Sequence, residues 1–453
     1  MKRQLLTLIL ALLGLSATAQ TPNGWWIGIL EEAGLPLNLN ITEKEGEPWA
    51  VFYSPLQQKG PMVTSSCKFK GDTLIYNSKS ISLKIKLIYR HEDNTWHGTF
   101  QQGFVSAKMD FEPTDTLYEP RRPQTPKAPF PYDSKEVLLT RKKADVTLTG
   151  TLTMPIDIDL GFSRGKAPLH PAVVLVSGSG QQNRDEELMG HKPFAVLADY
   201  LSRQGIAVLR YDDRGMGGSH GEIANATTLD FADDAEAMMN WLRKQPGIDP
   251  RRVGIIGHSE GGMIAPIVAS RNKHTKFVVL LAGPGYAGSE VLLQQNKVLL
   301  QAQGLDSAQL DIRLRFMAAL FAGDTNADRL LAPFSKEELK AMGLNSGSVA
   351  LIKKQIAIPW FQAFLKIDPA RYLTKTKCPI LAINGEKDMQ VIGPENLSRI
   401  KELAPHAQTH LMPGLNHLMQ HCQKGTPNEY MLIEETLSED VMALIVQFVN
   451  SLN

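Results

Sequence analysis

One ten-residue passage limits this chain more than any other feature. Residues 253–262 read Val-Gly-Ile-Ile-Gly-His-Ser-Glu-Gly-Gly, and a helix-like apolar segment, 263–270, follows at once. A β-rich run that enters a glycine-flanked serine and leaves as a helix describes a sharp strand-to-helix turn. The serine hydroxyl then stands clear above the end of the strand, and side chains at the flanking glycines would collide. The helix N-terminus beneath it favours developing negative charge. Ser259 is therefore a candidate nucleophile. The bare G-x-S-x-G spacing is weak evidence in a chain with 36 glycines, and Gly217-Gly218-Ser219-His220-Gly221 matches it as well. Context separates the two. The strand before Ser219 ends near Tyr211 and no helix starts at Gly221, so Ser219 reads as a loop residue. The alternative for Ser259 is a glycine-rich strand-to-helix turn without chemistry.

Short runs rich in Val, Ile and Leu recur around that turn, at 172–177, 206–211, 253–256, 277–282, 379–383 and 408–412. Runs of this kind suit strands covered on both faces. The spacers between them are amphipathic, as in Leu437, Val441, Leu444, Ile445, Phe448 and Leu452. Strand–helix alternation predicts an α/β architecture with a mostly parallel, doubly covered sheet. Segments 135–140 and 144–154 read as a β-hairpin leading into it. The spacer 285–372 is much longer than the rest and helical in pattern, with a capping-box signal at Ser335 and Glu338. It is predicted to be a helical cap over the strand ends. Residues 20–118 differ in kind: Leu37, Leu39 and Ile41 alternate with polar residues, as do Leu83, Ile85, Leu87 and Tyr89. That period of two marks half-buried strands and a smaller β-rich N-terminal domain. Five prolines between 119 and 134 disfavour helix and central strand alike and suggest the linker, leaving 135–453 as the second domain.

A serine hydroxyl is a weak nucleophile until a base, oriented by a third group, takes its proton. On a strand-to-helix serine turn the chain order is serine, acid, histidine. Of eleven histidines, His417 lies in a loop directly after the last strand-like run. His421, one helical turn further on, reads better as a surface residue. The run 379–383 leads to Gly385-Glu386-Lys387-Asp388, placing Asp388 as the acid and Glu386 as a solvated neighbour. An oxyanion hole needs two N–H donors. One is the backbone of Glu260, the residue after the nucleophile. The other comes from the loop after the first run, where Ser179 is favoured over Gly180. Gly178-x-Gly180 is also half a dinucleotide fingerprint, but position 183 is Asn rather than Gly. His417 and His421 have helical ligand spacing without H-E-x-x-H or clustered cysteines, so neither a metal nor a cofactor is predicted.

Composition removes other classes. The chain has 453 residues, with 48 basic against 47 acidic side chains, which provides no electrostatic reason to expect nucleic acid. Lys2 and Arg3 precede an apolar run, 5–15, and then Ala17-Thr18-Ala19. This is the layout of a secretory signal peptide over 1–19, too short to span roughly 30 Å of hydrocarbon. The expectation is a secreted or periplasmic protein with no membrane span after cleavage. Three widely spaced cysteines, 67, 378 and 422, are not a disulfide framework.

Residues 135–453 resemble bacterial α/β-hydrolases of the esterase and serine-aminopeptidase-like type. The motifs that carry the resemblance are Val-Ser-Gly-Ser-Gly-Gln-Gln-Asn-Arg-Asp at 176–185, Tyr-Asp-Asp-Arg-Gly-Met-Gly-Gly-Ser at 211–219, Gly-His-Ser-Glu-Gly-Gly at 257–262, Asn-Gly-Glu-Lys-Asp at 384–388 and Leu-Asn-His at 415–417. The resemblance implies an α/β-hydrolase fold, nucleophile, acid and base at Ser259, Asp388 and His417, and a small-molecule acyl ester as substrate. It departs at Ser177-Gly178, where many relatives have His-Gly, which bears on the second oxyanion donor. Carboxylesterase is the leading function. A serine peptidase of the aminopeptidase or prolyl-oligopeptidase-like kind would use the same three residues on an amide. A binding protein on a hydrolase scaffold is the non-catalytic alternative, disfavoured by an intact triad.

Overall fold

The computed structural model describes residues 22–30, 35–57, 60–102, 105–156, 169–323, 326–344 and 346–452. The signal-like segment 1–19 lies outside them. The chain divides into two compact units, which meet in sequence at Pro120 and Arg121.

The first unit is an antiparallel sheet of eight strands: β1 (Gly24–Leu30), β2 (Leu35–Lys44), β3 (Glu47–Tyr53), β4 (Ser66–Lys70), β5 (Thr73–Ser78), β6 (Leu83–Arg90), β7 (Thr95–Gln102) and β8 (Val105–Pro113). Their order is β3-β2-β1-β8-β7-β6-β5-β4. The terminal strands of that order approach each other, with the Ala50 N–H donating to Cys67 Sγ at 3.2 Å. Alternation does what it predicts: Leu83, Ile85 and Leu87 are buried, while Lys84, Lys86 and Ile88 between them face out. Trp26, Phe52, Tyr76, Trp96 and Phe111 fill the interior.

The second unit carries eight more strands: β9 (Tyr132–Arg141), β10 (Val146–Pro155), β11 (His170–Val176), β12 (Ala207–Tyr211), β13 (Ile248–His258), β14 (Val278–Leu281), β15 (Ile380–Gly385) and β16 (Gln408–Met412). Their order is β16-β15-β14-β13-β11-β12-β10-β9. β11 to β16 are parallel, and the hairpin β9–β10 joins β12 antiparallel. Along β11 successive side chains enter opposite cores. Ala172, Val174 and Val176 pack with helices Thr228–Leu242, Glu260–Arg271 and Gly393–Leu403. Val173 and Leu175 pack with Pro193–Arg203 and Glu439–Ser451. Two-sided burial explains why these strands read as continuous apolar runs rather than alternating ones.

Two features refine the sequence reading. The proline-rich stretch is held by the second unit rather than free: Arg122 donates to the carbonyls of Met189, Met431 and Ile433, and Gln124 to that of Leu437. Between β14 and β15 the chain forms helices from Gly288 to Leu373, and Ser335 and Glu338 make the reciprocal capping box. The large apolar side chains of this insertion divide. Phe321, Leu330, Ile356, Phe361 and Leu365 form a core of its own, whereas Phe364 belongs to the core on the sheet.

Candidate active site

In open parallel sheets ligands bind beyond the C-terminal strand ends, where the strand order reverses. Here the order reverses about β11 and β13, and the loops after β11, β13, β15 and β16 converge there. β13 ends at His258 and helix Glu260–Arg271 begins two residues later, so Ser259 alone makes the turn. Its backbone has φ 54 and ψ −114, sparsely populated for a residue with a side chain. The flanking glycines are demanded sterically. A Cβ on Gly257 would lie 2.0 Å from the Gly261 carbonyl oxygen, and one on Gly261 would lie 2.1 Å from that of Val176. The turn is tied down by Ser259 N–H to Leu281 O at 2.9 Å and Gly262 N–H to Ser259 O at 2.8 Å.

Ser259, His417, Ser179 and Glu260 line one cavity of about 310 Å³. Behind it, His417 Nδ1 donates to Asp388 Oδ2 at 2.8 Å, and both side chains are shielded from solvent. The other Asp388 oxygen accepts the N–H groups of Gln390 and Val391 at 2.7 and 2.9 Å. This pairing sets the tautomer, leaving Nε2 of a neutral His417 as the acceptor. Ser259 Oγ has no hydrogen-bond partner among the described residues, and contacts of this kind commonly close only around a substrate. The competing residues lie elsewhere. Ser219 is buried in a loop, donating to Asp212 O and accepting from Thr149 N–H, both at 2.8 Å. His421 is exposed and pairs with Glu435 at 2.9 Å.

The loop expected to hold the second oxyanion donor is braced by three buried acid side chains; the sequence singled out Glu260 only for its backbone N–H, and Asp213 and Glu186 not at all. Asp213 accepts from Ser177 Oγ at 3.1 Å and Gln182 N–H at 3.0 Å. Glu186 accepts the Gly178 N–H at 2.6 Å. Glu260 accepts from Thr228 Oγ1 at 2.6 Å and from Trp360 Nε1 at 3.0 Å, and is hydrogen-bonded by Ser179. Burial pushes the Asp213 carboxyl up to about 8 and also raises that of Glu260, against the pull of its three donors. Asp212 adds a further brace, accepting from Arg184 N–H and Nη2 at 2.8 Å each. The motifs at 176–185 and 211–219 are thus two halves of one support. The available signal was two adjacent aspartates directly after a strand that is apolar except for Arg210. Because Gly178 N–H is already committed to Glu186, the amides of Ser179 and Glu260 are the candidates for an oxyanion.

The cavity wall is uneven. Pro284, Val291, Leu292, Trp360 and Phe364 make one side apolar, while Gln182, Gln295 and Gln390 add polar groups. Among the described residues, no group of three His, Cys, Asp or Glu side chains could hold a metal ion, and no helix is long and apolar enough to cross a membrane.

A parallel sheet covered on both faces, a serine on a strained strand-to-helix turn and an Asp-oriented histidine in the same cavity define an α/β-hydrolase. Within that class the chain belongs to the family described as serine aminopeptidase, S33, whose model matches residues 190–421. Esterase EstD of Thermotoga maritima is 31% identical over 300 residues, covering 64% of this chain and 63% of that protein, so the chain spans less than two thirds of this relative. Lipase 3 of Moraxella sp. is 24% identical over 315 residues, covering 67% of this chain and 90% of that protein. Among solved structures, the Pyrococcus furiosus esterase Pf2001 is 18% identical with a TM-score of 0.42, covering 71% of this chain and 93% of that one.

Proposed function

We propose that this protein is a carboxylesterase acting on small acyl esters through an acyl-enzyme on Ser259. The observation that carries the reading is the 2.8 Å Asp388–His417 pair behind a cavity onto which Ser259 also opens. In this scheme Ser259 Oγ attacks the acyl carbonyl while His417 Nε2 takes its proton. The amides of Ser179 and Glu260 hold the oxyanion, and His417 returns the proton to the leaving alcohol. Water, deprotonated by His417, then releases the acid. Asp388 keeps the ring oriented and offsets the charge it gains.

Esters are favoured over aminoacyl amides by the state of the cavity acids. Glu186 and Glu260 would be the partners for a substrate ammonium, but both already accept hydrogen bonds from the protein. The acyl group is assigned to the apolar wall of Val291, Leu292, Trp360 and Phe364. The basic, apolar and small-residue pattern over 1–19 supports export to the periplasm or beyond. A fluorophosphonate should label the wild type and not Ser259→Ala, and turnover should be measured on p-nitrophenyl esters beside aminoacyl p-nitroanilides. Turnover of the anilides alone would overturn the esterase reading in favour of a peptidase.

A further inference from the structure

His258 immediately precedes the nucleophile, and its buried ring lies between two acceptors. Glu186 Oε1 is 2.9 Å from Nδ1, and the backbone oxygen of His417 is 3.0 Å from Nε2. A neutral imidazole has one N–H and can donate to only one of them. Serving both requires a proton on each nitrogen, with the balancing charge on Glu186. Burial works against a charged ring, yet the Glu186 charge, its hydrogen bond and the His417 carbonyl outweigh it and push the ring up to about 9. Asp388 acts in the same direction, and the His417 ring lies 4.8 Å away between centroids.

Glu186 Oε1 also accepts the Gly178 N–H, so one carboxylate joins the oxyanion loop to His258. The fit is close: a Cβ on Gly178 would lie 3.2 Å from Ser259 Cβ and 3.3 Å from Glu186 Oε1. Glu186 reaches this position with φ 49, in the left-handed region that side chains disfavour. The oxyanion loop, the nucleophile turn and the base loop come from distant parts of the sequence, and this one pair touches all three.

We propose that Glu186 and His258 are positioning residues for the esterase reaction, a buried ion pair that fixes the main chain of His417 and the 177–180 loop against the turn carrying Ser259. The proposal rests on the esterase reading above. Its mechanism is geometric. The pair holds backbone rather than substrate, so its loss misplaces the base and the oxyanion donors together. Removing one member also strands the other, buried and unpaired. The two therefore act as a unit, and damage from the double substitution should not exceed damage from either single one.

The test compares the wild type, Glu186→Gln, His258→Gln and the double variant by fluorophosphonate labelling rate, ester kinetics, thermal midpoint and ring N–H signals in histidine NMR. Expected are folded variants with kcat reduced by about 100-fold, the scale of a misplacement near 1 Å. KM should change far less, because the affected contacts matter most in the transition state. Two His258 ring N–H signals should appear in the wild type, and one should be lost in Glu186→Gln. Should His258→Gln fail to fold, Glu186→Gln keeps the side-chain shape and carries the test. Folded variants with wild-type kcat, or losses confined to the thermal midpoint, would overturn the positioning role alone. A wild type that neither takes label nor turns over ester would overturn the proposed function, and the positioning role with it.

Discussion

Trp360 joins the helical insertion to the nucleophile's neighbour, and two substitutions separate what its ring does from what its N–H does. The indole Nε1 donates to Glu260 at 3.0 and 3.2 Å, and the ring stacks on Phe364 with centroids 5.3 Å apart. Trp360→Phe keeps a ring for the stack and removes the donor with part of the indole. A hydrogen bond to a charged group contributes about 1.5–3 kcal/mol. Trp360→Ala removes the ring too, and about 3 kcal/mol is expected because the side chain is only half-buried. The Ala variant also enlarges the apolar end of the cavity. Each additional methylene buried there is worth about 0.8 kcal/mol, roughly fourfold in kcat/KM. Urea denaturation and kcat/KM across p-nitrophenyl esters from acetate to decanoate measure the two effects. Trp360→Phe should lose stability and keep the acyl profile; Trp360→Ala should lose more and move the optimum to longer chains. A folded Ala variant with an unchanged ratio between short and long esters would refute the assignment of this wall to the acyl chain. A Phe variant as stable as wild type would refute the value placed on the Glu260 contact.

Other outcomes follow from the same geometry. Ser259→Ala should abolish labelling and ester turnover while Ser219→Ala, deep in its loop, keeps the label, and label lost only in the latter would reverse the assignment. His417→Ala should cost orders of magnitude in kcat/KM and His421→Ala little, since the latter only pairs with Glu435 at the surface; the opposite ranking would move the base. Asp213, pushed up to about 8, is mostly protonated at neutral pH, so Asp213→Asn should be tolerated. Asp213→Ala leaves the Gln182 N–H unpaired at a cost of about 1–3 kcal/mol, read from denaturation midpoints. Stability should also fall with alkali. His258 is raised from 6.5 to about 9, so its contribution is complete below 6.5 and lost as pH rises through about 9. That loss is roughly 3 kcal/mol at most. Between pH 7 and 9.5 the wild type should therefore lose more stability than Glu186→Gln, and parallel losses would remove the ion pair from the account.

Much of the architecture was legible because it is written locally. Two-sided burial leaves apolar runs in β11, in β15 and over 253–256 of β13, and one-sided burial leaves the alternation of Leu83, Ile85 and Leu87. The serine turn could be read because its glycines are required by contacts within five residues, such as Gly257 against Gly261. The same local grammar rejected Ser219, which lacks the adjoining helix. Chain order then pointed to Asp388 and His417, each just past a strand, and the structure places them 2.8 Å apart.

What could not be read is whatever depends on partners far apart in the chain. Glu186 looks like one acid among many in a polar loop, and His258 like a turn residue next to a serine. Only folding brings Glu186 to the Gly178 amide and His258 to the His417 carbonyl, 159 residues away. Trp360 and Phe361 are likewise equivalent on paper. One borders the cavity and bonds Glu260, while the other closes the insertion's own core, because a helix turns adjacent side chains about 100° apart. Local sterics and the period of burial made the strand-to-helix serine and the layered fold readable, and a fixed order of residues along such a fold pointed to Asp388 and His417. Tertiary structure alone decided how the oxyanion loop is braced and which side chains form the cavity wall, since those depend on which buried acids and donors meet once water has been excluded.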